Sequence, residues 1–484
     1  MHGKRLRLID AFPGIYASKS ASLILRADRG TMNSGSSHLY GALREARART
    51  LELIQDLEGE QMMGPRLPII NPLLWEVGHV AFFQEFWVLR HSRGRSSLLR
   101  NGDTLYDSAR VAHGARWDLP LPAINDTLDY MQRVLADVTG GAEPAEALCT
   151  KTGRYAETYF LWLALLHEYM HAEAITYTRQ TLGYSAPRIS LQHARGPREA
   201  PSENGDNKAS ADLGVARAGD VAVPGGRFYL GAATDDGFVF DNEQWAHPVE
   251  VKPFSIGRTV VTNAEFAVFV ADRGYARREF WSDAGWQWRE QARAAHPVYW
   301  QGVSNGKWLR RHFDQVVPLE DHHPVIHVNW FEAEAYCRWA GRRLPTEAEW
   351  EMAASSEPGT GAGSTTTRKR RFPWGDELPT PDRANLDWRS MGCIHVEALP
   401  AGDSAFGCRQ MIGNVWEWTE DDFNPFPGFS PGPYKEYSAP WFGNHKVLRG
   451  GCWVTRSRLI RNTYRNFYQP DRRDVWAGFR TCAP

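Results

Sequence analysis

His167-Glu168-Tyr169-Met170-His171 sets two imidazoles four residues apart. On a helix this spacing puts both rings on one face, within reach of a single metal ion. His79 lies in a separate apolar segment, LLWEVGHVAFF (73–83). Ligands from facing helices converge in a bundle core, and three neutral imidazoles leave coordination positions open for water, O2 or substrate. The string also satisfies HExxH, in which the Glu beside the first His is the general base of a zinc peptidase. Spacing alone leaves zinc hydrolysis and iron chemistry both standing.

These histidines need helices to hold them. Leu39, Leu43, Ala46, Thr50, Leu53 and Leu57 recur at intervals of four and three, which predicts a first helix, with Ser36 or Ser37 as its cap and Gly59 after its end. A second helix is expected over about 71–90, with Trp75, His79, Phe82, Phe83 and Phe86 on one side. A third is expected near 125–138. A long fourth runs near 155–182, stops at Gly183 and carries the histidine pair. Four amphipathic helices bury their apolar stripes against one another as a bundle.

The rest of the chain has a different character. Of 20 tryptophans, 16 lie at or beyond Trp245. Residues 187–220 are rich in Pro, Gly, Ser and charge and read as a linker; 355–371 read as a surface insertion. From 221 to 484, short β-like pieces surround one expected helix, 331–354, which suggests an irregular α+β domain packed by aromatic residues. Residues 1–31 are basic and irregular and read as an extension before a start near Met32; 32–186 form the bundle.

Charge nearly cancels, 56 Lys and Arg against 57 Asp and Glu, which argues against a general binder of nucleic acid or membranes. No apolar run reaches the length of a membrane span. Six cysteines without a CxxC pair suggest a reduced, cytoplasmic setting.

Five ordered strings carry a resemblance. They are PVIHVNWFEAEAYCRWAGRRLPTEAEWEMAA (324–354), FPWGDE (372–377), IGNVWEWTEDDF (412–423), VLRGGCW (447–453) and RNTYRNFYQPDRRDVWAGFR (461–480). Together they resemble the formylglycine-generating-enzyme/sulfatase-modifying-factor fold, a C-type-lectin relative. WEVGH (75–79) and HEYMHAEA (167–174) resemble a DinB-type four-helix domain. The expected fold is therefore multi-domain: an all-α four-helix DinB-like bundle, then an irregular α+β C-type-lectin-like domain.

The fusion resembles the ergothioneine/ovothiol sulfoxide synthase family, non-haem iron(II) enzymes that use O2 to join sulfur to the imidazole of a histidine derivative. The resemblance implies Fe(II) on His79, His167 and His171, facing the C-terminal domain, and makes Glu168 a helix residue. It implies hercynine, the trimethylated histidine, as substrate. Tyr434 becomes the proton donor and Tyr437 a pocket residue, Asn466 a substrate contact, and Phe467 and Trp416 aromatic faces for the quaternary ammonium. The cysteine pair of formylglycine-generating enzymes falls on Thr455 and Ile460, so that chemistry is not expected, and Cys452 reads as a small buried apolar residue.

Two departures bear on the donor. Tyr468 stands where the family has an Asp that receives γ-glutamylcysteine, while the arginine four residues on is kept as Arg472. Met170 replaces a substrate-contacting glutamine. With NPLLWEVGHVAFFQEFW (71–87) and NGDTLYDSARVAHGARWDLPLP (101–122), these place the chain closest to the selenoneine synthase branch, whose donor is a selenosugar. Arg116 is then expected in the donor pocket. The alternatives are a sulfoxide synthase using γ-glutamylcysteine or cysteine, a zinc HExxH hydrolase, and a non-enzymatic lectin-like binding protein.

Overall fold

The computed structural model describes residues 37–140, 147–149, 155–190, 219–302, 307–358 and 369–484. The basic extension 1–31, most of the linker and the centre of the 355–371 insertion lie outside them. The described residues form two compact units, 37–176 with 187–190, and 177–186 with 219–484. Among them, no helix is long and apolar enough to cross a membrane.

The first unit is helical. Its elements are α1 (Ser37–Glu52), α2 (Leu73–Gln84), the short α3 (Gly102–Leu105), α4 (Ile124–Thr139) and the part of α5 (Glu157–Leu182) up to Thr176. α5 is apolar on nearly every side around Leu161, Leu163, Leu165 and Leu166, all at most 2% exposed, and such a helix is stable only when enclosed. α1 is shorter than the sequence pattern suggests. It ends at Glu52, and Leu53, Ile54 and Leu57 reach the core from the turns that follow. The second helix also differs from a uniform α-helix over 71–90: past Gln84 it continues as a π-helix, Glu85–Ser92.

The second unit is irregular. β1 (Asp220–Val223) pairs with β4 (Phe254–Gly257), and β2 (Gly226–Leu230) with β3 (His247–Val251), all antiparallel. β5 (Trp300–Gly302), β6 (Trp308–His312) and β7 (Gln315–Pro318) form a meander. β8 (Trp416–Asp422), β9 (Lys446–Arg449), β10 (Asn466–Tyr468) and β11 (Ala477–Gly478) make a sheet ordered β10-β9-β8-β11, with β11 parallel to β8. Helices α6 (Asn263–Ala271), α7 (Asp283–Ala292), α8 (Trp330–Trp339) and α9 (Glu347–Ser355) complete it.

The single helix expected over 331–354 is two. Gly341 takes a left-handed φ of 63° after α8, and Arg343 then bridges in extended form to Cys482. Pro345 disfavours helix at the residue before it, and Thr346 restarts one by accepting from Glu349 N at 3.2 Å. Apolar residues run through this break because both helices are largely buried.

The tryptophans supply the core. Trp350, Trp388, Trp416, Trp418, Trp453 and Trp476 are among the largest fully buried side chains. Buried ion pairs sit between them: Arg480 Nε donates to Glu417 at 2.6 Å, and Trp350 Nε1 donates to the same carboxylate at 2.8 Å. Such carboxylates tolerate burial because every oxygen is matched by a donor.

Candidate metal centre

α2 brings His79 to the face of α5 that carries His167 and His171. One ligand atom from each of the three lies within 4.8 Å of the others. Ring centroids are 5.0 Å apart for His79 and His167, 4.9 Å for His79 and His171, and 4.2 Å for His167 and His171. The Nε2 atoms of His167 and His171 face each other at 3.0 Å.

The opposite nitrogens are committed elsewhere. His79 Nδ1 lies 2.7 Å from Tyr106 O. A carbonyl only accepts, so Nδ1 carries the hydrogen and Nε2 presents a lone pair. His171 Nδ1 donates to Glu76 Oε1 at 2.5 Å, which again leaves Nε2 as the ligand atom. Burial pushes the His79 pKa down to about 3, with His171 adding to the effect, and holds His167 well below the ordinary value. Both are therefore neutral at physiological pH, as metal ligation requires. Burial alone would raise the Glu76 carboxyl, but His171 beside it outweighs that and leaves it lowered. Three converging imidazoles, with a carboxylate hydrogen-bonded to the outer nitrogen of His171, suit a divalent transition metal.

Aromatic rings fix the imidazoles from behind. Trp75 stacks on His79 at 4.7 Å and 10°, and Phe83 stacks on His167 at 3.6 Å and 6°. Gly78 makes the Tyr106 contact possible. A Cβ there would lie 2.3 Å from two atoms of the Tyr106 ring. The sequence reading found the three histidines but not Gly78, Glu76, Asn71 or Tyr106. A carboxylate three residues before His79 in an otherwise apolar helix was the available signal for Glu76, since such a charge needs a partner.

Glu168 points away from this group. Arg47 Nε donates to it at 2.8 Å and Thr50 Oγ1 at 2.9 Å, and both Arg47 and Glu168 are 1% exposed. A general base must reach a metal-bound water. Glu168 is instead a buried ion-pair partner of α1, so the zinc-hydrolase reading of HExxH loses its base.

Arg116 lies beside the histidine cluster. Its guanidinium lies 3.9 Å from the Trp75 ring centroid, and Nη1 donates to Asn71 Oδ1 at 2.6 Å. It is 9% exposed.

The second unit groups most of its expected residues. Tyr434 and Tyr437 have ring centroids 6.0 Å apart, and Tyr437 meets Phe467 edge-on at 5.7 Å. Tyr437 also stacks on Phe240 at 4.4 Å, with its Oη 3.3 Å from that of Tyr464. Burial pushes its phenol well above the ordinary range, with Tyr464 adding to the shift, so it stays protonated. Asn466, Phe467 and Tyr468 form β10, all half-buried, and Phe467 stacks on Phe423 at 4.1 Å. Arg472 holds Asp474 by two bonds of 2.6 Å and lies over the rings of Tyr468 (5.1 Å) and Tyr177 (5.6 Å). Trp416 does not join this group's half-buried face. It is 1% exposed, packed 5.9 Å from Tyr464, and belongs to the core. Met170 is half-buried.

A separate cavity of the second unit is lined by Asn263, Tyr299, Glu320, His327, Cys393 and Trp476 among others, and by none of the expected substrate residues. At the RGG turn, Thr455 Oγ1 accepts from Cys452 N at 2.9 Å and Ile460 is buried, so no thiol stands at either position.

Residues 42–175 match the DinB superfamily, and 208–483 match the sulfatase-modifying factor enzyme 1-like domain. The chain is 37% identical over 452 residues to hercynine oxygenase of Mycolicibacterium thermoresistibile, covering 92% of this chain and 94% of that protein. It is 37% identical over 442 residues to hercynine oxygenase of Mycobacterium tuberculosis, covering 90% and 96%. A formylglycine-generating enzyme of Streptomyces coelicolor is 35% identical over 289 residues, 55% of this chain and 88% of that enzyme. The non-enzymatic, lectin-like alternative falls with these similarities. From helical bundle to Trp-packed domain, the chain belongs to the hercynine oxygenase family and is an oxidoreductase-type enzyme.

Proposed function

We propose that this enzyme uses iron(II) on His79, His167 and His171 to couple O2 reduction to C–Se or C–S bond formation on the imidazole of hercynine. The observation that carries the reading is the convergence of three imidazoles from two helices, within 4.8 Å, two of them with the ligating tautomer fixed by their outer partners. Hercynine oxygenases aligned over nine-tenths of the chain support hercynine as the substrate. Iron(II), when bound, supplies the site at which O2 is activated.

The protein's own groups supply binding and proton control. Tyr434 donates the proton, as a phenol can at neutral pH. Tyr437, kept protonated by burial, positions it. Phe467 offers an aromatic face to the trimethylammonium, worth about 0.5–2 kcal/mol, because a quaternary ammonium cannot donate a hydrogen bond. Asn466 contacts hercynine.

The donor in this reading is a selenosugar. Tyr468 offers a hydroxyl and a ring where a carboxylate would clamp an ammonium, and Arg472 is already neutralised by Asp474. A site so arranged favours an uncharged, hydroxyl-bearing donor over a zwitterion. A cytoplasmic setting fits the cysteine content.

The test is anaerobic reconstitution with iron(II), followed by aerobic incubation with hercynine and each donor in turn, read by mass spectrometry. A selenosugar is expected to give the coupled product most efficiently, and Tyr468→Asp to improve use of γ-glutamylcysteine. Preference of the natural chain for γ-glutamylcysteine would refute the selenosugar assignment; no product with any donor would refute the reaction.

A further inference from the structure

The turn His113–Ala115 and the residues after it are strapped to the segment leading into α2. His113 Nε2 donates to Ile70 O at 2.6 Å, and Trp117 Nε1 donates to Met63 O at 3.1 Å. This strap delivers the Arg116 guanidinium to two neighbours of the histidines at once.

The first route is polar. Arg116 Nη1 donates to Asn71 Oδ1 at 2.6 Å, which forces the amide to present Nδ2 on its other side. Nδ2 donates to Glu76 Oε2 at 2.7 Å, and Glu76 Oε1 accepts from His171 Nδ1 at 2.5 Å. The second route is through ring stacking. The guanidinium lies over Trp75 at 3.9 Å, and Trp75 also stacks in parallel on the ring of His79 at 4.7 Å. One cation thus reaches two of the three imidazoles by independent paths, from a loop that contributes no ligand.

We propose that Arg116 is a positioning residue for the metal centre, fixing His171 through Asn71 and Glu76 and His79 through Trp75, and so setting the affinity of the site. The proposal rests on the reading that the three histidines hold the metal. It differs from a donor-binding role because it acts with no substrate present.

The experiment is an anaerobic titration of the metal-free full chain with Co2+ alone, followed by visible absorption, with far-UV circular dichroism on every variant. The natural chain is expected to bind one equivalent with resolved ligand-field bands, and His171→Ala to abolish them. Absence of that wild-type signal, or its survival in His171→Ala, would overturn the metal reading itself. Arg116→Ala is expected to weaken Co2+ binding by about tenfold and to shift the bands, the usual scale for a group one step behind the ligands. Asn71→Ala cuts only the polar route, so a smaller loss is expected, and its effect combined with Arg116→Ala falls short of the product of the two. A folded Arg116→Ala chain with unchanged affinity and bands overturns the proposal. If that variant does not fold, unchanged affinity in Asn71→Ala overturns it instead.

Discussion

Gly78→Ala tests whether the tyrosine behind His79 holds the metal site. The added methyl would lie 2.3 Å from Tyr106 Cε1 and Cζ and 2.6 Å from its Oη. Carbon atoms in contact sit about 3.5–4.0 Å apart, so the ring must retreat by more than 1 Å. Tyr106 is 0% exposed, which leaves it no space to turn into. Movement therefore passes to its main chain, whose carbonyl accepts from His79 Nδ1 at 2.7 Å. Overpacking of this kind costs about 1–3 kcal/mol, and loss of an outer partner weakens a metal ligand set about 10–100-fold. Urea unfolding of the metal-free chain and Co2+ titration measure the two effects separately. Gly78→Ala combined with Tyr106→Leu removes the ring atoms that clash but keeps the carbonyl, so metal affinity is expected to recover even though packing does not. If Gly78→Ala alone unfolds and binds Co2+ like the natural chain, the argument linking Gly78, Tyr106 and His79 is wrong.

Other expectations follow from the same geometry. Glu168→Gln leaves Arg47 as a buried charge with a weakened partner and should cost about 3–5 kcal/mol in denaturant unfolding, while turnover per folded molecule persists; loss of turnover with stability intact would restore Glu168 as a base. Tyr434→Phe should lower the yield of coupled product per O2 consumed more than it raises the donor KM; an unchanged yield and rate would remove Tyr434 from the mechanism. His327 in the second unit has its pKa pushed down to about 3, chiefly by burial, so the native state stays neutral while the unfolded chain takes up a proton below about pH 6.5. Its contribution is complete above that pH and falls by up to about 1.4 kcal/mol per unit of pH down to about 3. His327 sits at a left-handed φ of 60°, which Asn tolerates, so His327→Asn should flatten the acid limb of a stability–pH profile; an unaltered slope would show that His327 does not titrate on unfolding.

The helical bundle was legible because its apolar residues recur at helical spacing, and the histidine pair because four residues on a helix is one turn. Whatever depends on loops meeting helices was not legible. Tyr106 lies 27 residues from His79 and acts through a main-chain oxygen, which has no sequence signature. Arg116 is assigned to the donor pocket by resemblance alone; its ties to Asn71 and Trp75 come only from the fold. Trp416, offered by the resemblance as an aromatic face for the substrate, is 1% exposed, and its burial has no signature in the sequence. The break at Gly341 was written in the sequence as Gly followed by Pro345 and a Thr-x-x-Glu cap, but the apolar residues running through it outweighed that signal.

The partnership of α1 with the helix that carries the two adjacent histidines has a practical consequence. A shortened chain beginning at Met62 would lack Arg47 and Thr50, leaving the Glu168 anion stranded in an apolar interior one residue from His167. A buried carboxylate without its partners is strongly destabilising. The first helix thus keeps a charge compensated beside the histidine cluster as well as walling the bundle, and trimming it would disturb the surroundings of that cluster along with the core.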